Sequence, residues 1–218
     1  MANNVYRLIS ATPSPYARKV RIALIEKGIP FELLTEVPWH GDTATPIYNP
    51  LEKLPVLVLP DGSGIYESRF ILEWLEVKHP SPRLLPDTPD EILAARQIEV
   101  IADGICDAVV LLFFERMREA PSAEWTARQR RKVEGGVRAL ACLALAGQAG
   151  GGGFLVGGRF GLADIAAGTA LRYLAVRYAE FDWALRYPAL ATMSAVLEAR
   201  PSFAATNPVP QTILERVV

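Results

Sequence analysis

The chain has 218 residues, half of them hydrophobic and 22% charged, with a formal net charge of -1. This balance predicts a soluble globular protein with a well-filled core in one large or two smaller domains, and it removes the bulk electrostatic case for nucleic acid or an anionic membrane as partner. No run approaches the roughly 20 apolar residues that span a bilayer, and no charged head followed by an apolar block marks the N-terminus for secretion.

Val5 to Ile9 alternates like a short strand,. Ser10-Ala11-Thr12-Pro13 breaks it, and Ser14-Pro15-Tyr16 opens a helix whose apolar residues Tyr16, Val20, Ala23 and Leu24 recur at helical spacing until Gly28,. Ser before Pro is a helix-start signature, because the hydroxyl caps free N–H groups and Pro loses nothing by lacking one in the first turn. The same junction sets a hydroxyl donor at the positive end of a helix, where an anion can settle. Phe31 to Thr35 is a second strand, which makes a βαβ unit,. Glu36 to Asn49 reads as an irregular connector with at most one helical turn. Pro55 to Leu59 is a third strand, Pro60 to Gly64 a turn, and Ile65-Tyr66 a fourth strand,. A helix then starts at Glu67-Ser68 and ends at His79-Pro80.

Pro80, Pro82, Pro86 and Pro89 form a stiff polar connector,. The expected division is therefore 1–80, a linker 81–89, and an all-helical domain 90–218. Its helices run from Asp90 to Arg118, as one long helix or two stacked segments with Gly104 as a candidate kink, from Ala123 to Ala149, from Leu162 to Arg177, and from Pro188 to Arg200,. The segments Pro201-Ser202-Phe203 and Pro208-Val209-Pro210 lead into a surface tail. The Asp90 helix is apolar on more than one face, so it is either central or in contact with a second subunit. Cys106 and Cys142 lie in predicted helices without metal-type spacing, and read as reduced, buried residues of a cytoplasmic protein; no metal is expected,.

Four blocks together carry a resemblance. Ser14-Pro15-Tyr16-Ala17-Arg18-Lys19-Val20-Arg21-Ile22-Ala23-Leu24 resembles the opening of the serine-type glutathione S-transferases. Asn49-Pro50-Leu51-Glu52-Lys53-Leu54-Pro55-Val56-Leu57 is similar to that family's second block, Glu67-Ser68 to its third, and Phe154 to Ala166 to its folding segment. The resemblance implies a thioredoxin-like α/β N-terminal domain followed by an all-α helical domain, with the glutathione site on the first and the electrophile site and homodimer contacts on the second.

It also implies roles. Ser14 would hydrogen-bond the glutathione sulfur, although Ser10 and Thr12 in the same loop compete for that position. Leu54, before a cis Pro55, would pair with the cysteinyl main chain. Lys53 would reach the glycyl carboxylate. His40 lies about where some classes place a second basic residue, but that loop aligns loosely and ordinary loop surface is the favoured reading. A carboxylate at Ser68 Oγ and the first turn of its helix is stabilised, and Glu67 beside it takes an ammonium, so a γ-glutamyl group fits both. The electrophile would lie near Tyr16, Phe113, Phe114, Met117 and Tyr173.

In the folding segment, Gly161 stands where the family has Ser or Thr. The hydroxyl half of the capping box is lost, while Asp164 can still accept from the Gly161 N–H. Three functions remain open: conjugation of glutathione to small apolar electrophiles, glutathione-dependent isomerisation of the maleylacetoacetate type, and non-catalytic binding.

Overall fold

The computed structural model describes residues 5–214 and 217. Contacts divide the chain into two units, one ending at Arg83 but completed by Ala205–Val217, the other spanning Leu84–Ala204. The tail therefore lies with the first unit and not with the helical stretch 90–218 assigned from sequence.

The first unit is a four-stranded sheet in the order β2-β1-β3-β4. Strand β1 (Tyr6–Ser10) pairs in parallel with β2 (Phe31–Thr35), antiparallel with β3 (Val56–Val58), which in turn pairs antiparallel with β4 (Gly64–Tyr66). This is the thioredoxin-like arrangement expected from the βαβ and ββα order. Ile9, Val56 and Val58 form a buried cluster against which Leu34, Tyr48, Leu54 and Tyr66 pack. Helices α1 (Pro15–Glu26) and α3 (Ser68–Lys78) accompany the sheet, and α2 (Thr45–Tyr48) is the single turn allowed in the connector.

Register decides where the chemistry collects. Ser10 is opposite Thr35, Ile9 opposite Val56, and Val56 opposite Tyr66. The loop to Ser14, the loop to His40, the Leu54-Pro55 entry and the Glu67-Ser68 exit therefore all leave the sheet at one end.

Two features of this unit had no local signature. Lys27 has a buried ammonium that contacts Glu76 Oε1 at 2.6 Å and donates to the carbonyls of His79 and Pro82 at 2.8 Å each, tying the end of α1 to the end of α3. Arg18 is 2% exposed, and its Nε donates to Thr206 Oγ1 at 3.4 Å, while Arg21 donates to the Ala205 carbonyl at 3.3 Å. The tail supplies oxygen acceptors to both guanidinium groups on that face of α1,.

The second unit is all helical: α4 (Pro89–Glu115), α5 (Ala123–Ala149), α6 (Leu162–Arg177), α7 (Trp183–Arg186), α8 (Pro188–Glu198) and α9 (Pro201–Ala204). Helix α4 is assigned as one 27-residue helix through Gly104. Thr88 and Ser122 cap α4 and α5 with their hydroxyls, each accepting from the N–H three residues on,. Where α4 meets α5, a Cβ on Gly136 would sit 2.5 Å from Ile105 Cγ1, so the crossing depends on glycine there. Helix α6 is the core helix, buried from Leu162 through Leu171. Cys106 is buried as expected, but Cys142 is exposed, because it falls off the α5 stripe formed by Val137, Leu140, Ala141 and Ala144. Among the described residues no helix is long and apolar enough to cross a membrane.

Asp164 accepts from the N–H groups of Gly161 and Leu155, both at 3.0 Å, so the carboxylate half of the cap is present. Gly161 has a different reason for being glycine than cap economy. The Leu84 carbonyl accepts from the Leu162 N–H at 2.8 Å, and a Cβ on Gly161 would stand 2.5 Å from that same oxygen. Restoring the hydroxyl by Gly161→Ser is expected to destabilise by about 1–3 kcal/mol, as overpacking does, although Ser is ordinarily the better cap. Thermal melts of the two proteins read the sign directly; a higher midpoint for the variant would show that the 84–86 segment yields.

Candidate functional site

Ser14 is the N-cap of α1, half-buried, with its Oγ accepting from the Ala17 N–H at 3.2 Å. With that lone pair engaged, its hydroxyl proton points elsewhere and is available to an anion at the helix terminus. The competing hydroxyls are placed differently. Ser10 is 1% exposed and donates to the Ala11 carbonyl, and Thr12 donates to the Val209 carbonyl at 2.7 Å.

Leu54-Pro55 is a cis peptide, as the resemblance implies, and a second cis bond at Ser81-Pro82 carries no counterpart in the sequence reading. Asn49 shapes the approach to it. Its amide nitrogen donates to the Lys53 carbonyl at 2.7 Å and its oxygen accepts from the Leu51 N–H at 2.9 Å, from a position 1% exposed. Asn49 thus holds the loop that presents Lys53 and Leu54. The Asn-Pro signal was visible in the sequence, but only as part of a block. Lys53 itself is exposed.

Glu67 has φ 72°, an uncommon conformation for a residue with a side chain and one found at sites that fix a group for function,. It caps α3 with its own carboxylate, which accepts from the Arg69 N–H at 3.1 Å, and Ser68 Oγ lies 3.4 Å from the same carboxylate. The mouth of α3 is therefore occupied by Glu67. A carboxylate arriving at Ser68 competes with it and requires Glu67 to turn outward, where it could meet an ammonium.

His40 is half-buried, and its Nε2 accepts from the Leu214 N–H at 3.2 Å. Its ring is thus committed to the tail, beside a loop that Glu36 organises by accepting from the Ala44 N–H and the Thr45 hydroxyl. Tyr16 is half-buried in the first turn of α1, two residues beyond Ser14.

In the helical unit the expected aromatic residues separate. Phe113 and Phe114 meet edge to face at 5.1 Å and are half-buried, whereas Met117 is 44% exposed in the turn after α4. Tyr173 is 4% exposed. Burial pushes its phenol up to about 12, against the pull of Arg177 beside it,. What the sequence reading missed is the arginines among these rings: Arg177 lies 4.2 Å from the Phe113 centroid and 5.7 Å from that of Tyr173. A cation in the last turn of a helix has an ordinary explanation in the macrodipole, so nothing in the linear pattern set it apart. Among the described residues no cluster of His, Cys, Asp and Glu could hold a metal ion.

The glutathione S-transferase N-terminal domain model matches residues 13–78 and the C-terminal domain model residues 123–192. The uncharacterized GST-like protein YibF of Escherichia coli K12 is 37% identical over 209 residues, 93% of this chain and 98% of that protein. The maleylacetoacetate isomerase of Mus musculus is 31% identical over 153 residues, 67% of this chain and 68% of that protein. A glutathione S-transferase of Methylobacterium radiotolerans, solved with glutathione sulfonate, is 61% identical, covers 98% of this chain and 99% of its own, and superposes with a TM-score of 0.92. The chain belongs to the glutathione S-transferase family.

Proposed function

We propose that the protein binds glutathione across the shared end of its sheet, holds the sulfur as thiolate at Ser14, and adds it to electrophiles. The observation that carries this reading is the Ser14 hydroxyl, which accepts from Ala17 and so has its proton to give, at the start of a 12-residue helix. A free thiol with a pKa of about 8.5 is only a few per cent ionised at neutral pH. Lowering it by about two units requires about 2.7 kcal/mol, within the reach of one charge-assisted hydrogen bond and a helix terminus together. The thiolate then forms a C–S bond, the leaving group departs with its electron pair, and the thiol proton goes to solvent. Ser14 does not act as nucleophile or base.

In this reading the Leu54 main chain pairs with the cysteinyl residue, and Lys53 receives the glycyl carboxylate, with His40 near it but engaged by the tail. Ser68 and the α3 mouth take the γ-glutamyl carboxylate, and Glu67 takes the ammonium. Phe113, Phe114, Met117 and Tyr173 offer the electrophile apolar and aromatic surface in the helical unit, and Tyr16 offers it in the first. Two copies would associate through apolar side chains that each unit leaves exposed, Phe70 and Val77 on α3 and Leu93 and Val100 on α4,.

Titration calorimetry with glutathione, followed by a spectrophotometric screen of electrophiles, tests the proposal. Ser68→Ala should weaken glutathione about tenfold, the value of one hydrogen bond to a charged group. Unchanged affinity would place the γ-glutamyl end elsewhere. A second reading, glutathione-dependent isomerisation, is favoured by the likeness to the mouse isomerase; there the thiolate adds and then leaves, and consumption of substrate without consumption of glutathione distinguishes it. Binding with no turnover on any electrophile would leave a glutathione-binding protein without catalysis.

A further inference from the structure

The ends of α4 and α6 bring arginines together around aromatic faces. Arg177, in the last turn of α6, is stacked on Phe113, and Arg116, just past α4, lies 4.2 Å from the ring centroid of Tyr178. Arg116 Nη2 donates to the Arg177 backbone carbonyl at 3.2 Å, which places the Arg116 guanidinium at the C-terminal end of α6, and Arg130 of α5 approaches the Tyr178 ring at 6.0 Å.

Among the described residues none of these three arginines forms an ion pair with a carboxylate. The nearby Glu115 is engaged otherwise, accepting from the Ser122 N–H at 2.7 Å and pairing with Arg118 at 3.1 Å. Glu180 is the acid whose charge bears on Tyr178. Two donors in the cluster are buried with no acceptor among the described residues: Arg177 Nε, and the hydroxyl of Tyr178, a residue only 4% exposed. A buried donor left unmet costs about 1–3 kcal/mol, so a ligand that brings oxygen acceptors recovers that.

A guanidinium over an aromatic face can turn its edge N–H groups to a planar acceptor, and the match to that fork is a carboxylate. The alternative role, ring cover plus a favourable charge at a helix C-terminus, explains the stacking but not the buried Nε and hydroxyl. We propose that the electrophile carries a carboxylate, bound by Arg177 and Arg116 while its apolar body lies against Phe113 and Phe114. This rests on the transferase reading above and narrows it from apolar electrophiles to anionic ones.

The test compares two glutathione conjugates of similar shape, S-(4-carboxybenzyl)glutathione and S-(4-methylbenzyl)glutathione, by calorimetry. Wild type should bind the carboxylate at least tenfold more tightly. Arg177→Met, which keeps an apolar stem over Phe113, should abolish that preference while leaving glutathione itself bound as before; Arg116→Met should reduce it, and Arg177→Lys should restore part of it. In turnover, the same variants should raise KM for 4-chloro-3-nitrobenzoate relative to its methyl ester, with C–S bond formation expelling chloride in both. Equal affinity of wild type for the two conjugates overturns the inference, as does an equal loss for both in Arg177→Met. Failure of glutathione to bind overturns the transferase reading itself, and the electrophile assignment with it.

Discussion

Ser14→Ala is expected to lower kcat/KM for conjugation by about 100-fold or more, the usual effect of removing one donor aimed at a developing or stored anion. That corresponds to about 2.7 kcal/mol of barrier. The KM for glutathione should change little, because the peptide's other contacts persist, and the thiolate absorbance of the binary complex should titrate close to the ordinary thiol value. Since Ser14 Oγ also accepts from the Ala17 N–H, the variant loses a helix cap and about 1 kcal/mol of stability. Ser14→Asp separates the two roles. Aspartate caps as well as serine but brings a negative charge and no donor at neutral pH, so the melting temperature should hold while turnover disappears. If Ser14→Ala conjugates at the wild-type rate, the donor lies elsewhere, and Ser10, buried though it is, becomes the next residue to change.

Asp164→Ala is expected to be the most damaging single change to stability. It leaves the Leu155 and Gly161 N–H groups without their shared acceptor at a residue 1% exposed. About 3 kcal/mol is expected for two unmet buried donors, a fall of about 6–12 °C in melting temperature for a chain of this size. The difference between wild type and variant should also depend on pH. Burial pushes the Asp164 carboxyl up to about 6 in the folded protein, over the opposing pull of its backbone N–H bonds,. A carboxyl whose folded value is raised contributes most below its unfolded value of about 3.9, and that contribution is lost as pH rises through about 6. The advantage of wild type over Asp164→Ala should therefore be widest at about pH 4 and narrow by about 3 kcal/mol on the way to pH 7. Melts of both proteins across that range measure it, and a gap that widens with pH would mean the N–H bonds prevail over burial.

Much of the molecule was legible because its signals are local. Ser14-Pro15 announces a helix start from two adjacent residues, strand alternation places β1 and β2, and the proline cluster from Pro80 to Pro89 marks the passage between units. The convergence of four loops at one sheet end followed from topology once the βαβ and ββα order was recognised. The parts that escaped depend on partners distant in sequence. Arg18 looks like a surface residue until Thr206, 188 positions away, is seen to accept from it, and Lys27 until the carbonyls of His79 and Pro82 are counted. Gly161 looked like a weakened cap because nothing near it in sequence reports the Leu84 carbonyl. Cys142 was misplaced because a small apolar residue says little about which face of a long amphipathic helix it occupies. The arginines around Phe113 and Tyr178 are separated by up to 61 positions and show no periodicity in common.

The return of residues from Ala205 onward to the first unit has a bearing on how the protein is made. During synthesis the α1 face with Arg18 and Arg21 emerges early, yet the acceptors it uses are encoded 184 and 188 residues later. At about 5–20 residues per second the ribosome takes roughly 9 to 38 s to deliver them. Over that interval the nascent first unit lacks those acceptors, and its maturation waits on translation of the segment that begins at Ala205.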